Sequence, residues 1–227
     1  MNEKSTVSIR KCKEYVFDDV YAVVSELCDR HFAHDENIHE KKIFIKVNNL
    51  MSVNPDRAVT THPVILQAVI TWLKQWTDNI VVGDDVSDAI EKDESFVASG
   101  IKAACREGGV RLINLKDAEK VAVSVPRGVR VSQLITMKPV LEADIFINLP
   151  RMKTHQLTLF TGAVKNLYGI IPFGQKVTLH KQNRHMIDFL HAVVDVFSIR
   201  PPDLTIMDAI VAMEGEGPSG GSPIRVG

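Results

Sequence analysis

The chain has 227 residues, 45% of them hydrophobic and 24% charged, with a formal net charge of −1. That length supports a sizeable core without staples, and the even charge balance excludes the global basic footprint of a nucleic-acid binder or a protein held on an anionic membrane surface. Three scattered cysteines, Cys12, Cys28 and Cys105, form no C-x-x-C pair, which excludes a disulfide framework or an iron–sulfur cluster within these residues.

The amino terminus, Met1-Asn-Glu-Lys-Ser5, leads into no apolar signal block. No apolar run approaches the roughly 20 residues that cross a bilayer, so the expected location is the cytoplasm. Thr6 to Arg10 alternates apolar and polar residues and predicts a short first strand. Phe17, Val20, Tyr21, Val24, Leu27, Cys28 and Phe32 recur at helical spacing and predict a helix over about 15–32. The segment His31 to His39, three histidines among acidic residues, reads as a solvated loop rather than a metal site.

Lys42 to Val47, Ile-Phe-Ile flanked by lysines, is a predicted buried strand that runs into Asn48-Asn49. Thr60-Thr61-His62-Pro63 opens a helix with a proline suited to its first turn, and Ile65, Leu66, Val69, Leu73 and Trp76 form its apolar face. The strand Asn79 to Gly83 ends in Asp84-Asp85-Val86-Ser87, a helix follows over Glu91 to Glu107, and Val110 to Leu115 is the next strand. This alternation predicts an α/β fold: a mainly parallel sheet with right-handed crossovers and helices on both faces, a Rossmann-like three-layer arrangement. Val121 to Val125 and Val129 to Ile135, around Pro126-Arg127-Gly128, predict a β-hairpin insertion at about 119–136.

Ala143 to Leu149 returns to the core. Met186, Phe189, Leu190, Val193, Val194 and Phe197 then predict a long helix, stopped by Pro201-Pro202. Leu204 to Met207 is a last predicted strand, and the glycines from Gly215 to Gly221 predict a loop. The whole reads as one domain over residues 1–227. A strand starting so near the final residue, Gly227, gives the expectation that the sheet continues beyond it.

Ligands of an open parallel sheet sit at the carboxyl ends of its strands. Lys46, Asn48 and Asn49 follow one strand, Asp84, Asp85 and Ser87 another, Asn148, Lys153 and His155 a third, and Asp208, Glu214 and Glu216 the last. They are expected to face one crevice. Thr161-Gly-Ala-Val-Lys-Asn166 resembles a loop entering a helix, where free amides and Lys165 suit an oxyanion or phosphate, although both the P-loop and the dinucleotide fingerprint are missing.

Lys153, His155 and Lys165 are the candidate catalytic groups, for proton transfer, anion holding or attack of a lysine on a carbonyl. Lys46, Asn48, Thr161, Asn166 and His180 are candidate ligand-binding residues. Asp84, Asp85 and Asp208 are candidate ligands for a divalent ion, since hard cations prefer oxygen. Each has a plainer alternative: Asp84 and Asp85 as turn caps, Lys46 as a snorkelling strand end, His180 and His185 facing solvent at the start of the long helix.

Ile45-Lys-Val-Asn48, Thr61-His-Pro-Val64, Val81-Val-Gly-Asp-Asp85, Ile147-Asn-Leu-Pro-Arg-Met-Lys-Thr-His155, Thr161-Gly-Ala-Val-Lys-Asn-Leu-Tyr-Gly169, His180 and Asp208-Ala-Ile-Val-Ala-Met-Glu-Gly-Glu-Gly-Pro218 together carry a resemblance. They are similar to the bacterial and archaeal family called domain of unknown function 362. The resemblance implies no activity. Many members look like fusions to a ferredoxin-type domain with four-iron clusters, but the cysteines of such a domain are absent here. What it leaves open is a ferredoxin-type redox partner or a further carboxy-terminal part, rather than a cluster within these residues.

Three readings follow. One is an enzyme acting on a small anionic metabolite, with or without a divalent metal. Another is a non-catalytic binding or redox-accessory module. The third is purely structural, with the lysines and Asn166 capping buried loops.

Overall fold

A computed structural model describes residues 6–32, 38–86 and 93–227; His34, Ser87 and the first residues of the predicted Glu91 to Glu107 helix lie outside them. In chain order the elements are α1 (Phe17–Phe32), β1 (Ile43–Val47), α2 (Pro63–Leu73), β2 (Ile80–Asp84), α3 (Glu94–Ala98), α4 (Ile101–Glu107) and β3 (Arg111–Asn114). Next come β4 (Lys120–Ser124), β5 (Gln133–Met137), α5 (Lys138–Leu141), β6 (Ile145–Leu149), β7 (Arg151–His155) and β8 (Leu159–Thr161). The last are α6 (Ala163–Asn166), α7 (Phe173–Gln182), α8 (Met186–Ile199), β9 (Leu204–Thr205), β10 (Asp208–Glu214) and β11 (Ser222–Arg225).

Five strands pair in parallel in the order β3-β2-β1-β6-β9. From β1 the chain winds outward to β2 and β3, then returns to place β6 on the other side of β1. The switch point of this doubly wound sheet therefore lies between β1 and β6, where an open α/β sheet leaves a crevice at its carboxyl edge.

Alternation along the strands assigns the two faces. Ile43, Ile45 and Val47 of β1, with Ile145 and Ile147 of β6, pack with Leu66, Val69 and Leu73 of α2 and Val20 and Val24 of α1. Phe44 and Phe146 turn the other way and pack with Phe189, Val193 and Val196 of α8. Lys46 and Asn148, register partners across β1 and β6, share the parity of Phe44 and Phe146. Their side chains thus leave the sheet on the α8 face at its carboxyl edge.

Local chemistry explains several boundaries. Pro63 opens α2, and the His62 Nδ1 accepts the Val64 amide at 3.3 Å as its cap. Gly100, at φ 76°, separates α3 from α4, so the single helix predicted to Glu107 is two short ones; the left-handed backbone there suits glycine. Thr6 to Arg10 forms no strand. The predicted hairpin is present as β4 and β5, antiparallel from Lys120 opposite Met137 to Ser124 opposite Gln133.

A second sheet, β11-β10-β7-β8, was not foreseen. Pro150 ends β6, and the chain goes on as β7; beside it, β9 gives way at Ile206-Met207 to β10, which pairs with β7 in parallel. The predicted strand Leu204 to Met207 accordingly keeps only Leu204–Thr205 in the first sheet. Arg-Met-Lys-Thr-His did not read as a strand because its inward positions are Arg151 and Lys153, where a hydrophobic pattern is expected. Helix α7 was likewise missed, having only Leu179 fully buried.

Asp195 of α8 gathers three amides of the hairpin turn, beside the Arg130–Asp188 ion pair at 3.2 Å. The buried Asp195 carboxylate accepts the amides of Val129, Arg130 and Val131 at 2.9, 2.7 and 3.0 Å. Hydrogen bonds to a charged acceptor contribute about 1.5–3 kcal/mol each. Asp195→Ala is therefore expected to lower stability by about 2–4 kcal/mol in urea unfolding, with faster hydrogen exchange concentrated at 120–137. Unchanged exchange in that segment would show that the hairpin is held otherwise.

Candidate functional site

At the switch point, Thr61 joins the two strand ends. Its hydroxyl accepts the Asn48 amide at 2.8 Å and donates to the Leu149 carbonyl at 2.5 Å, while its own amide donates to the Asn48 carbonyl at 2.8 Å. On the other side, the Asn166 side-chain amide donates to Asn148 Oδ1 at 2.8 Å, and that of Asn148 donates to the Ala163 carbonyl at 3.0 Å. Asn166 thus fixes the crevice wall rather than projecting from it.

Lys46 is 1% exposed and its Nζ lies 2.7 Å from Asp84 Oδ1 and 2.7 Å from the Val47 carbonyl it donates to. Asp84 also accepts the amides of Asn49 and Asp85, both at 2.7 Å. A Cβ on Gly169 would stand 2.8 Å from the Lys46 Nζ and 2.9 Å from Asp84 Oδ1, so the pair packs directly under that glycine. Asp85 turns outward to Lys176 of α7, at 2.6 Å. Of the plainer readings, Lys46 is an ion-paired core residue rather than a snorkelling end.

Beyond this pair lies a group of cations. Lys153, inward on β7 opposite Thr161 of β8, is 3% exposed and donates to the Val59 carbonyl at 2.6 Å. Burial, with Arg151 and Lys165 nearby, pushes its pKa down to about 7. Lys165 is half-buried, its Nζ 4.6 Å from the Tyr168 ring centroid and 5.6 Å from that of Phe189. Burial and then Lys176 lower its pKa to about 8, and among the described residues no carboxylate offsets that. Lys165 also depresses Lys153, His155 and His180, which makes it the common electrostatic neighbour of the group.

The two imidazoles are fixed in opposite tautomers by their hydrogen bonds. His155 Nδ1 accepts the amides of Leu157 and Thr158 at 3.1 and 3.2 Å, so its Nε2 carries the proton and is a donor. Burial first, then Lys165, holds that ring neutral with a pKa near 4. His180 Nδ1 lies 2.8 Å from the Lys176 carbonyl, which only a donor can satisfy, and this leaves its Nε2 as an acceptor. One imidazole donor, one imidazole acceptor and two lysines of lowered pKa are groups able to give and take protons near neutral pH.

The carboxylates are distributed differently from the sequence expectation. Asp208 lies in a buried pair with Arg151 at 2.7 Å, and also accepts the Tyr15 hydroxyl at 2.7 Å and the His62 amide at 3.2 Å. Asp84 and Asp85 face Lys46 and Lys176 instead. Asp84, Asp85 and Asp208, expected as ligands of one divalent ion, lie against separate cations, and among the described residues no group of three or more His, Cys, Asp or Glu is placed to hold a metal. The expected helix entry at Thr161 is also short, since α6 has four residues. Lys176, which sequence reading passed over, belongs to the group; its only signal was its place on the lysine-rich segment after Gly169. Two cavities, of about 480 and 520 Å³, lie elsewhere, and neither is lined by a member of this cluster.

A doubly wound α/β sheet with a lysine-rich cluster at its switch point defines the class of protein. The chain belongs to the family described as Domain of unknown function (DUF362), which matches residues 43–227. A relative, thylakoid-associated protein sll1697 of Synechocystis sp. (strain ATCC 27184 / PCC 6803 / Kazusa), is 29% identical over 191 residues, covering 82% of this chain and 57% of the relative. The chain thus spans little more than half of that relative's length. The lactate racemase apoprotein from Thermoanaerobacterium thermosaccharolyticum matches with a TM-score of 0.49 and 12% identity over 82% of this chain and 49% of that one; at those values the likeness carries no argument about activity. Among the described residues, no helix is long and apolar enough to cross a membrane.

The lowered Lys153 pKa has a signed consequence. Between pH 7 and 10.5 the unfolded chain holds a proton that native Lys153 has released, so this residue makes stability rise with pH across that window. Relative to Lys153→Met, the native protein is expected to gain stability by about 1 kcal/mol per pH unit from pH 7 to 9, measured by urea unfolding at each pH. Parallel curves for the two proteins would show that Lys153 titrates normally.

Proposed function

We propose that the switch-point cluster is an enzyme's site for a small dianionic metabolite, on which it moves a proton. The observation that carries this reading is Lys165, without a carboxylate of its own among the described residues and surrounded by Lys153, His155, His180 and Lys176. Four lysines, Lys46, Lys153, Lys165 and Lys176, stand against two aspartates, Asp84 and Asp85. The surplus favours a ligand with two negative charges. Protonated Lys165 anchors it, the His155 Nε2–H donates to the oxygen where charge develops, and the His180 Nε2 accepts the proton.

A second reading is a binding or redox-accessory module without turnover, serving a ferredoxin-type partner. It is favoured by the position of both cavities away from the cluster, since catalysis gains from enclosure.

Calorimetric titration of inorganic phosphate and of succinate tests the ligand site common to both readings. Binding is expected near pH 7, weakening about thirtyfold by pH 9.5 as Lys165 loses its proton. Lys165→Met should abolish it, whereas Lys165→Arg should keep it and remove the pH dependence. Equal binding by native protein and Lys165→Met would reject the site. Turnover is separated by proton NMR in D₂O: deuterium entering a bound ligand in native protein but not in His180→Gln supports the enzyme, and binding without exchange across a metabolite panel supports the module.

A further inference from the structure

Leu159 opens β8 at φ 61°, in the left-handed region that a bulky side chain rarely enters. The Phe160 amide donates to the Thr158 carbonyl at 2.6 Å, closing a three-residue turn around Leu159, and the Thr158 hydroxyl donates to the Phe160 carbonyl at 3.0 Å. Leu157 packs against the core on the α8 face, and the amides of Leu157 and Thr158 both donate to His155. The turn is therefore held from several directions, which is what keeps a strained residue in place. Glycine would occupy that backbone freely. The chain instead has a leucine there that is 69% exposed and that belongs to none of the hydrophobic clusters among the described residues.

The register of the hairpin fixes where this leucine stands. Across β7 and β8, Lys153 is opposite Thr161, Thr154 opposite Phe160 and His155 opposite Leu159. Directly opposite residues of an antiparallel pair have Cβ atoms about 4.5–5.5 Å apart, and residues two apart along a strand share a face. Leu159 thus stands beside His155, in the row that begins with buried Lys153 and Thr161 and ends at solvent. Its neighbour Phe160 is engaged elsewhere: its ring and the Met207 thioether leave no room for a Cβ on Gly162.

We propose that Leu159 is a specificity-determining residue of the lysine-rich site: the ligand is a dianion joined to a hydrocarbon body, and Leu159 covers that body while Lys165 holds the charge. The inference rests on the ligand site proposed above and adds to it the kind of ligand taken. An inorganic anion makes no use of the leucine, whereas an organic one removes apolar surface of both partners from water. The exposed side chain and the strained backbone are retained for that contact.

Calorimetric titration of the full chain at pH 7 with methyl phosphate and with phenyl phosphate, which carry the same charged group and differ in apolar body, tests the proposal. Native protein is expected to bind phenyl phosphate about tenfold more tightly, the factor for roughly 55 Å² of apolar surface leaving water. Leu159→Asn should bring the two affinities to within about twofold of each other. Asparagine enters the left-handed region more readily than leucine, so the turn is kept, and Leu159→Gly should give the same result. Equal affinities in native protein, or a tenfold preference that survives in both Leu159 variants, would overturn the inference while leaving the ligand site standing. Binding of neither ester to native protein would remove the ligand site and the inference with it.

Discussion

The buried pair Lys46–Asp84 is the constraint on which the carboxyl edge of the sheet depends. Two charges removed from water are tolerated only with good geometry and further hydrogen bonds, and losing one partner of such a pair typically costs about 3–5 kcal/mol. Here Asp84 collects the Lys46 ammonium and the amides of Asn49 and Asp85, one from the turn after β1 and one from the turn after β2. The turns that leave two neighbouring strands are therefore tied to one carboxylate. Gly169 then packs against the pair with no room for a side chain, which sets where the segment from Lys165 to α7 runs.

That placement accounts for the charge distribution around it. Asp84 is used up inside, Asp85 is used by Lys176, and Lys165 arrives on the same face with aromatic rings beneath it and, among the described residues, no acid beside it. Burial disfavours the charged form of both Lys153 and Lys165 and lowers their pKa values, and repulsion between the gathered cations adds to the shift. An anion at that point would relieve the repulsion. The Arg151–Asp208 pair on the same strand as Lys153 solves its own charge problem locally, and so the two ends of β7 offer different chemistry: surplus positive charge at one, a balanced but half-used guanidinium at the other.

Much of this was legible in the chain where physics acts locally. The runs Ile-Phe-Ile, Ile-Val-Val and Ile-Phe-Ile-Asn-Leu declare buried parallel strands, and the rule that ligands gather at carboxyl ends leads from them to Lys46, Asp84, Lys153, His155 and Lys165. The partner of each polar group was not legible, because partners are chosen by tertiary packing. Tyr15 meets Asp208 across 193 residues of sequence, and nothing in the spacing separates Asp208 from Asp84 and Asp85. β7 escaped notice for a related reason: a strand whose buried positions are arginine and lysine lacks the hydrophobic period by which strands are recognised.

The charge state of the cluster can be observed directly by NMR of the lysine side chains, assigning Lys46, Lys153, Lys165 and Lys176 and following their ¹³Cε and ¹⁵Nζ shifts with pH, with and without inorganic phosphate. A cation group short of carboxylates requires Lys153 to titrate near 7 and Lys165 near 8, and requires phosphate to raise the Lys165 value. Both residues titrating with the surface lysines near 10.4, with no response to phosphate, would contradict it.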